Sequence, residues 1–161
     1  MAHHYSHTPL KLFFIVFFML CWQAGQAHKA TLPVNQGQST LMELVIKERP
    51  ALADLLTKAG LAPLFSADAS ITLLAPPEAA LQSMKQESPE RLRAILSAHI
   101  IKGSYQEKDF KDGATLKSIS GAEITVCRKK DHTLVNGVRI QEANQPAKNG
   151  VLHSLSGIIR I

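Results

Sequence analysis

From Asn149 to Ile161 the chain reads Asn-Gly-Val-Leu-His-Ser-Leu-Ser-Gly-Ile-Ile-Arg-Ile. With period 2, Val151, His153, Leu155, Gly157, Ile159 and Ile161 share one face, and Leu152, Ser154, Ser156, Ile158 and Arg160 share the other. That alternation predicts a strand entered through an Asn149-Gly150 turn. The first face is apolar apart from His153, so the imidazole is carried into the core, where it needs a hydrogen-bond partner. Two roles are open to it: a neutral core residue donating one ring hydrogen to a backbone carbonyl, or a catalytic or metal-binding group. A metal site would need further His, Cys or carboxylate ligands, and none lies near it in sequence.

Upstream the pattern is helical first. Thr40 and Glu43 have capping-box spacing, with Leu41, Leu44 and Val45 following at helical intervals. Pro50 opens a second helix carrying Leu52, Leu55 and Leu56, and Gly60 ends it. Leu61 to Asp68 reads as a further helical turn. Ile71 to Ala75 is a strand that runs into Pro76-Pro77, where pairing must stop. Helices are expected over Glu78 to Gln86 and after Ser88-Pro89-Glu90, the second with Leu92, Ile95, Leu96 and His99 on its buried side. Ile100 to Tyr105 leads out as a strand or extended turn. Beyond Lys111 the pattern turns to strands, with turns at Asp112-Gly113, Ser120-Gly121 and Lys129 to His132, and a hairpin at Asn136-Gly137. Helices first and strands later, with one early strand, is an α+β order rather than a regular parallel α/β alternation.

The amino-terminal segment changes the picture of where the protein works. Residues 1–27 read as a secretory signal peptide: Lys11 is their only charged side chain, Leu12 to Trp22 is apolar, and Gly25-Gln26-Ala27 supplies a cleavage site. A lipoprotein anchor on Cys21 is the alternative, disfavoured by the bulky Leu20. Cleavage would leave residues 28–38 as a loose polar tail and 39–161 as one domain, with Cys127 as its only thiol and hence no internal disulfide. The domain is mildly basic, because the whole chain carries +5 and the leader removes one of those charges. The Arg128-Lys129-Lys130 triplet is a solvated turn. With only Phe65, Tyr105 and Phe110 as aromatics, no stacking platform for nucleic acid or sugar is expected.

Four segments resemble one family in the right order. Ile71-Thr-Leu-Leu-Ala-Pro-Pro-Glu-Ala-Ala-Leu81 is similar to the first signature box of fasciclin (FAS1) domains, and Asn149 to Ile159 to the second. Leu96 to Tyr105 resembles the central histidine motif, and Val135 to Ile140 the Asn-Gly hairpin. The resemblance implies a FAS1-like β-wedge packed against a cluster of short α-helices. It implies fold-supporting roles for Ala75, Pro76, Leu81, His99, Asn136, Gly137, Asn149, Gly150 and His153. By family position, binding residues would be His99, Ile100, Ile101, Asn144 and Gln145. Animal members carry a Tyr before the central histidine and an Asp-Ile pair before the second box, both in proposed integrin motifs; here Ala98, and Asn144 with Gln145, stand at those places. A neutral amide offers a hard cation no charge, so that adhesion chemistry is not expected to transfer. The lack of an N-x-[ST] site and the single-domain length lean towards a bacterial exported protein.

The expected function is therefore a non-catalytic, exported binding or adhesion module. Its partner would be a protein or polysaccharide of the matrix, cell surface or envelope, and it would sit secreted or in the periplasm. No cofactor, metal or nucleic acid is expected. The alternatives are a carrier of a small apolar ligand in the wedge, and an enzyme using Cys127 with His99 or His153, since no G-x-S-x-G or H-E-x-x-H occurs.

Overall fold

The computed structural model describes residues 39–66 and 68–160; the leader and its cleavage site lie outside them. Helix α1 (Leu41–Glu48) starts at the expected capping box, with the Glu43 amide donating to Thr40 Oγ1 and the Thr40 amide donating to the Glu43 carboxylate. Helix α2 (Pro50–Lys58) has proline in its first turn and ends before Gly60, whose φ of +68° suits a residue without a side chain. A 3₁₀ turn over Ala62–Phe65 follows. After strand β1 (Ile71–Ala75) come α3 (Glu78–Met84), α4 (Pro89–Ser97) and β2 (Ile100–Lys102). A short 3₁₀ turn (Glu107–Asp109) leads to β3 (Thr115–Lys117), β4 (Glu123–Arg128), β5 (Thr133–Val135), β6 (Val138–Ala147) and β7 (Gly150–Leu155).

The strands form one sheet in the order β2-β1-β7-β6-β5-β4-β3. All pairings are antiparallel except β1 with β7, which run parallel from Ile71 opposite Gly150 to Ala75 opposite Ser154. The two ends of the sheet meet where Ile101 bridges Ser118, so the sheet folds over on itself. One apolar cluster lies between helices and sheet: Leu41, Leu52, Leu56, Leu81, Leu92 and Leu96 pack on Leu73 and Leu152. The other fills the fold of the sheet, with Leu74, Ile101, Phe110, Val126 and Leu155 among its members. Each such side chain contributes about 1.5–3 kcal/mol on burial.

This two-sided burial modifies the expected pattern of the last strand. Val151, His153 and Leu155 do alternate with Leu152 and Ser154, but all of β7 is buried, as is usual for a strand in a parallel pair. Ser154 is polar yet inside. The strand also stops at Leu155, and Ile159 lies on the loop that follows rather than extending β7. The hairpin at Asn136-Gly137 has positive φ at both residues, +51° and +80°, as a type I′ turn requires.

Candidate functional site

His99 follows α4 and points back under it. Its Nδ1–H donates to the Ile95 carbonyl at 2.9 Å, and its Nε2 accepts from the Ile159 amide at 3.0 Å. His153 uses the opposite tautomer: Nε2–H donates to the Tyr105 carbonyl at 2.9 Å, and Nδ1 accepts from the Asn144 amide at 3.2 Å. Both rings are fully buried. Each is therefore neutral and has both nitrogens committed to backbone. Burial pushes both pKa values below 6.5, opposed by the hydrogen bond to Ile95 for His99, and by the bond to Tyr105 and the Glu107 carboxylate for His153.

The His153 node holds a bulge in β6. Between Glu142 and Gln145 the register with β7 slips, and Asn144 takes a φ of +61°. Its Oδ1 accepts from the Glu107 amide at 2.6 Å, while Glu107 accepts from the Thr133 hydroxyl at 2.9 Å. Phe110 packs against the His153 ring, centroids 5.4 Å apart. Asn149 plays the same part at the other end of β7: its Oδ1 takes the Leu41 amide at the start of α1, and its Nδ2 donates to the Phe65 and Ser66 carbonyls. Gly150 beside it has no room for a side chain, because a Cβ there would lie 1.9 Å from the Ile71 carbonyl oxygen.

Of the residues singled out for binding, His99, Ile100 and Ile101 are buried, so their side chains present no surface to a partner. Asn144 is exposed and Gln145 half-buried, and they stand together on the bulge. Of the fold-supporting set, Ala75, Pro76 and Leu81 are buried where β1 hands over to α3, and Asn136 ties its turn to the Arg160 carbonyl at 2.8 Å.

Beside the bulge is a polar groove of about 580 Å³ whose lining includes Arg49, Glu78, Arg139, Glu142 and Ser154. Arg49 Nη2 donates to the Ser154 hydroxyl, which donates in turn to Glu142 at 3.1 Å; Gln145 Nε2 donates to the same carboxylate at 3.2 Å. The hydrophobic pattern of the sequence does not mark this cluster, because Arg49, Glu142 and Ser154 come together from separate elements. The available signal was Ser154, a hydroxyl placed between Leu152 and Leu155 that has to find partners once the strand is buried. A second groove of about 410 Å³ is largely apolar, lined by Ala94, Ile95, Ile158 and Ile159 together with Arg91 and Arg160. Among the described residues no cluster of three or more His, Cys, Asp or Glu could hold a metal. Cys127 stands half-buried on β4 opposite Leu134.

A fasciclin domain model matches residues 48–160, most of the chain. The chain belongs to the fasciclin domain family. Periostin of Homo sapiens is 26% identical over 121 residues, which is 74% of this chain but 14% of periostin. Transforming growth factor-beta-induced protein ig-h3 of Sus scrofa is 30% identical over 108 residues, 62% of this chain and 16% of that protein. The chain thus spans a small fraction of these relatives' length. Among solved structures, a FAS1 domain pair from the insect cell adhesion molecule fasciclin I superposes with a TM-score of 0.60 at 13% identity, covering 78% of this chain and 52% of that one. That likeness establishes the fold. In this fasciclin domain the two signature boxes carry β1 and β7, so segments far apart in sequence are the parallel neighbours within the sheet.

Proposed function

We propose that this fasciclin domain is an exported, non-catalytic adhesion module that contacts a protein or polysaccharide of the matrix, cell surface or envelope. The observation that carries the reading is the commitment of both buried histidines: each spends its two ring nitrogens on backbone, which leaves neither as a base for Cys127 or any other nucleophile. A solved relative is described as a cell adhesion molecule, and the shared fold supports the same class of role here. The leader-like residues 1–27 support an extracytoplasmic location, and we place the domain at 39–161 behind a tail over 28–38.

The contact face on this reading is the bulge and its groove, where Asn144, Gln145, Arg139 and Glu78 present donors and acceptors on a scaffold fixed from beneath by His153. Immobilised matrix polymers and envelope fractions probed with the purified domain test it. Retention should fall at least tenfold in Arg139→Glu with the melting temperature kept. Unchanged retention, or turnover of an ester or glycoside by the wild type, would overturn the reading.

The apolar groove at Ile95 and Ile158 favours a second reading, carriage of a small apolar ligand, at the surface rather than inside the packed wedge. Organic extraction of the purified protein decides it: a stoichiometric lipid, lost in Ile158→Asp, would make the domain a carrier.

A further inference from the structure

Strands β2 and β3 close the sheet through the antiparallel bridge of Ile101 with Ser118, flanked by the Ile119 amide donating to the Ile100 carbonyl at 2.8 Å. One residue on from that bridge, Lys102 stands directly opposite Lys117. Ile101 packs inside the fold of the sheet and Ser118 is buried, so alternation turns both lysines to the other face, where both are exposed. Like charges directly opposite each other weaken a strand pair. Their other cross-strand neighbours are Ile71 beside Lys102 and Glu123 beside Lys117, and neither lysine is in an ion pair among the described residues.

Beyond this pair the two strands diverge. The Gly103 amide donates to the Ser70 carbonyl at 2.8 Å, which carries the chain off along β1, while Ala114 accepts from Val126 and keeps β3 with β4. The result is a cleft of about 530 Å³, whose lining includes Lys102, Tyr105, Leu116, Lys117 and Ile119 and no carboxylate. Gly103 shapes one wall. Its φ is +102°, and a Cβ there would lie 2.8 Å from the Tyr105 ring and 3.3 Å from its hydroxyl, so the phenol is folded back over the residue that follows Lys102. That ring is fixed from behind: the Tyr105 amide donates to Thr72 Oγ1 at 2.8 Å, its carbonyl accepts from His153, and the ring stacks on Phe110 at 6.3 Å. A wall held in advance loses little freedom when a ligand arrives.

We infer that this cleft is a binding site for a phosphate or sulfate monoester. The oxyanion lies against the Lys102 and Lys117 ammonium groups and takes the Tyr105 hydroxyl as a further donor, while the organic part lies along the Tyr105 ring and Leu116. A phosphate or sulfate ester offers an acceptor oxygen to each of these donors, and lysine meets it as a point charge without the planar fork that suits a carboxylate. An anion held there also ends the repulsion across the seam, so binding stabilises the fold. The cleft lies on other strands than the Arg49 groove, and either surface can fail without the other.

The probe is phenyl phosphate, titrated calorimetrically into the domain, with inorganic phosphate, phenylacetate and phenol as controls. One phenyl phosphate should bind per domain. Inorganic phosphate should bind more weakly for want of an organic part, phenylacetate for want of a further oxygen, and phenol not at all. Added salt should weaken the complex. Lys102→Glu and Lys117→Gln should each lower affinity about tenfold or more, and Tyr105→Phe by less. Stability without ligand supplies an independent readout: Lys102→Glu sets a carboxylate opposite Lys117, so its urea midpoint should rise as binding is lost. If circular dichroism shows that this variant misfolds, Lys102→Gln replaces it, with a smaller rise expected. No binding of phenyl phosphate by the wild type would overturn the inference, as would binding that survives both lysine substitutions, or a folded Lys102 variant with a lower midpoint than the wild type. Inorganic phosphate bound as tightly as phenyl phosphate would reduce the cleft to a patch of charge and overturn it too. Capture by phosphatidylcholine vesicles containing phosphatidic acid, with phenyl phosphate unbound, would make the seam a membrane contact instead.

Discussion

His99 and His153 are fully buried, neutral and of opposite tautomer, and each joins two backbone segments that have no other reason to meet. Protonating either would bury a charge and turn a ring acceptor towards an amide hydrogen. Because their folded pKa values are depressed, the unfolded chain binds protons more readily. The stability they contribute is therefore complete above the unfolded value near 6.5, shrinks as pH falls below it, and is gone once pH has passed the folded values. Urea midpoints measured between pH 7.5 and 4.5 should fall across that window. The fall should be shallower in His153→Ala, which itself should cost about 2–4 kcal/mol at neutral pH through a lost ring and two stranded backbone groups. A flat profile in the wild type would contradict buried neutral rings.

Strand β7 is wedged between β1 and β6, and its first residue shows how tightly. Gly150→Ala would drive a methyl carbon into the Ile71 carbonyl oxygen, so the parallel pairing must open or the strand must shift. A loss on the order of 4 kcal/mol or more is expected, read from chemical denaturation. Gly121→Ala is the contrasting case: open space surrounds it, so only the strain of its φ of +88° remains, and the loss should be about 1 kcal/mol.

The contrast between local and distant causes also explains what could be read in advance. Thr40 with Glu43, Pro50, Ser88 with Pro89, and Asn136-Gly137 announce their own structures, because cap and turn chemistry acts within a few residues. The parallel neighbour of β1 could not be inferred from periodicity, since a strand's alternation does not say which strand lies beside it. For the same reason the sequence suggested that His153 needed a carbonyl but could not point to Tyr105, and Asn144 gave no sign that its amide would face that ring. The bulge was hidden because a slip in register depends on the partner strand. Family resemblance pointed to Ile100 and Ile101 as binding residues, and their packing inside the sheet explains their apolar character instead.

At the scale of the whole molecule, two apolar clusters lie on opposite faces of one folded sheet, and Cys127 is a free thiol among the described residues. If residues 1–27 are a leader, the exported protein should begin near His28 and be found outside the cytoplasm. Mass spectrometry of the amino terminus checks this, and an intact Met1 in a membrane fraction would contradict it.

The placement of β7 also bears on how the chain comes into being. Of the strands of this domain, the last to leave the ribosome is the one that joins β1 to β6, so until it emerges β1 and β2 have only each other and the helices have half a surface to rest on. Because its central contact spans the length of the domain, folding should be slow and all-or-none rather than stepwise from the amino terminus. A version ending at Lys148 should show no cooperative unfolding transition. Supplied in trans, a peptide covering residues 149–161 should restore one. Until β7 has been made, such a nascent domain stays open, which is the state in which a polypeptide can still be threaded through a narrow channel.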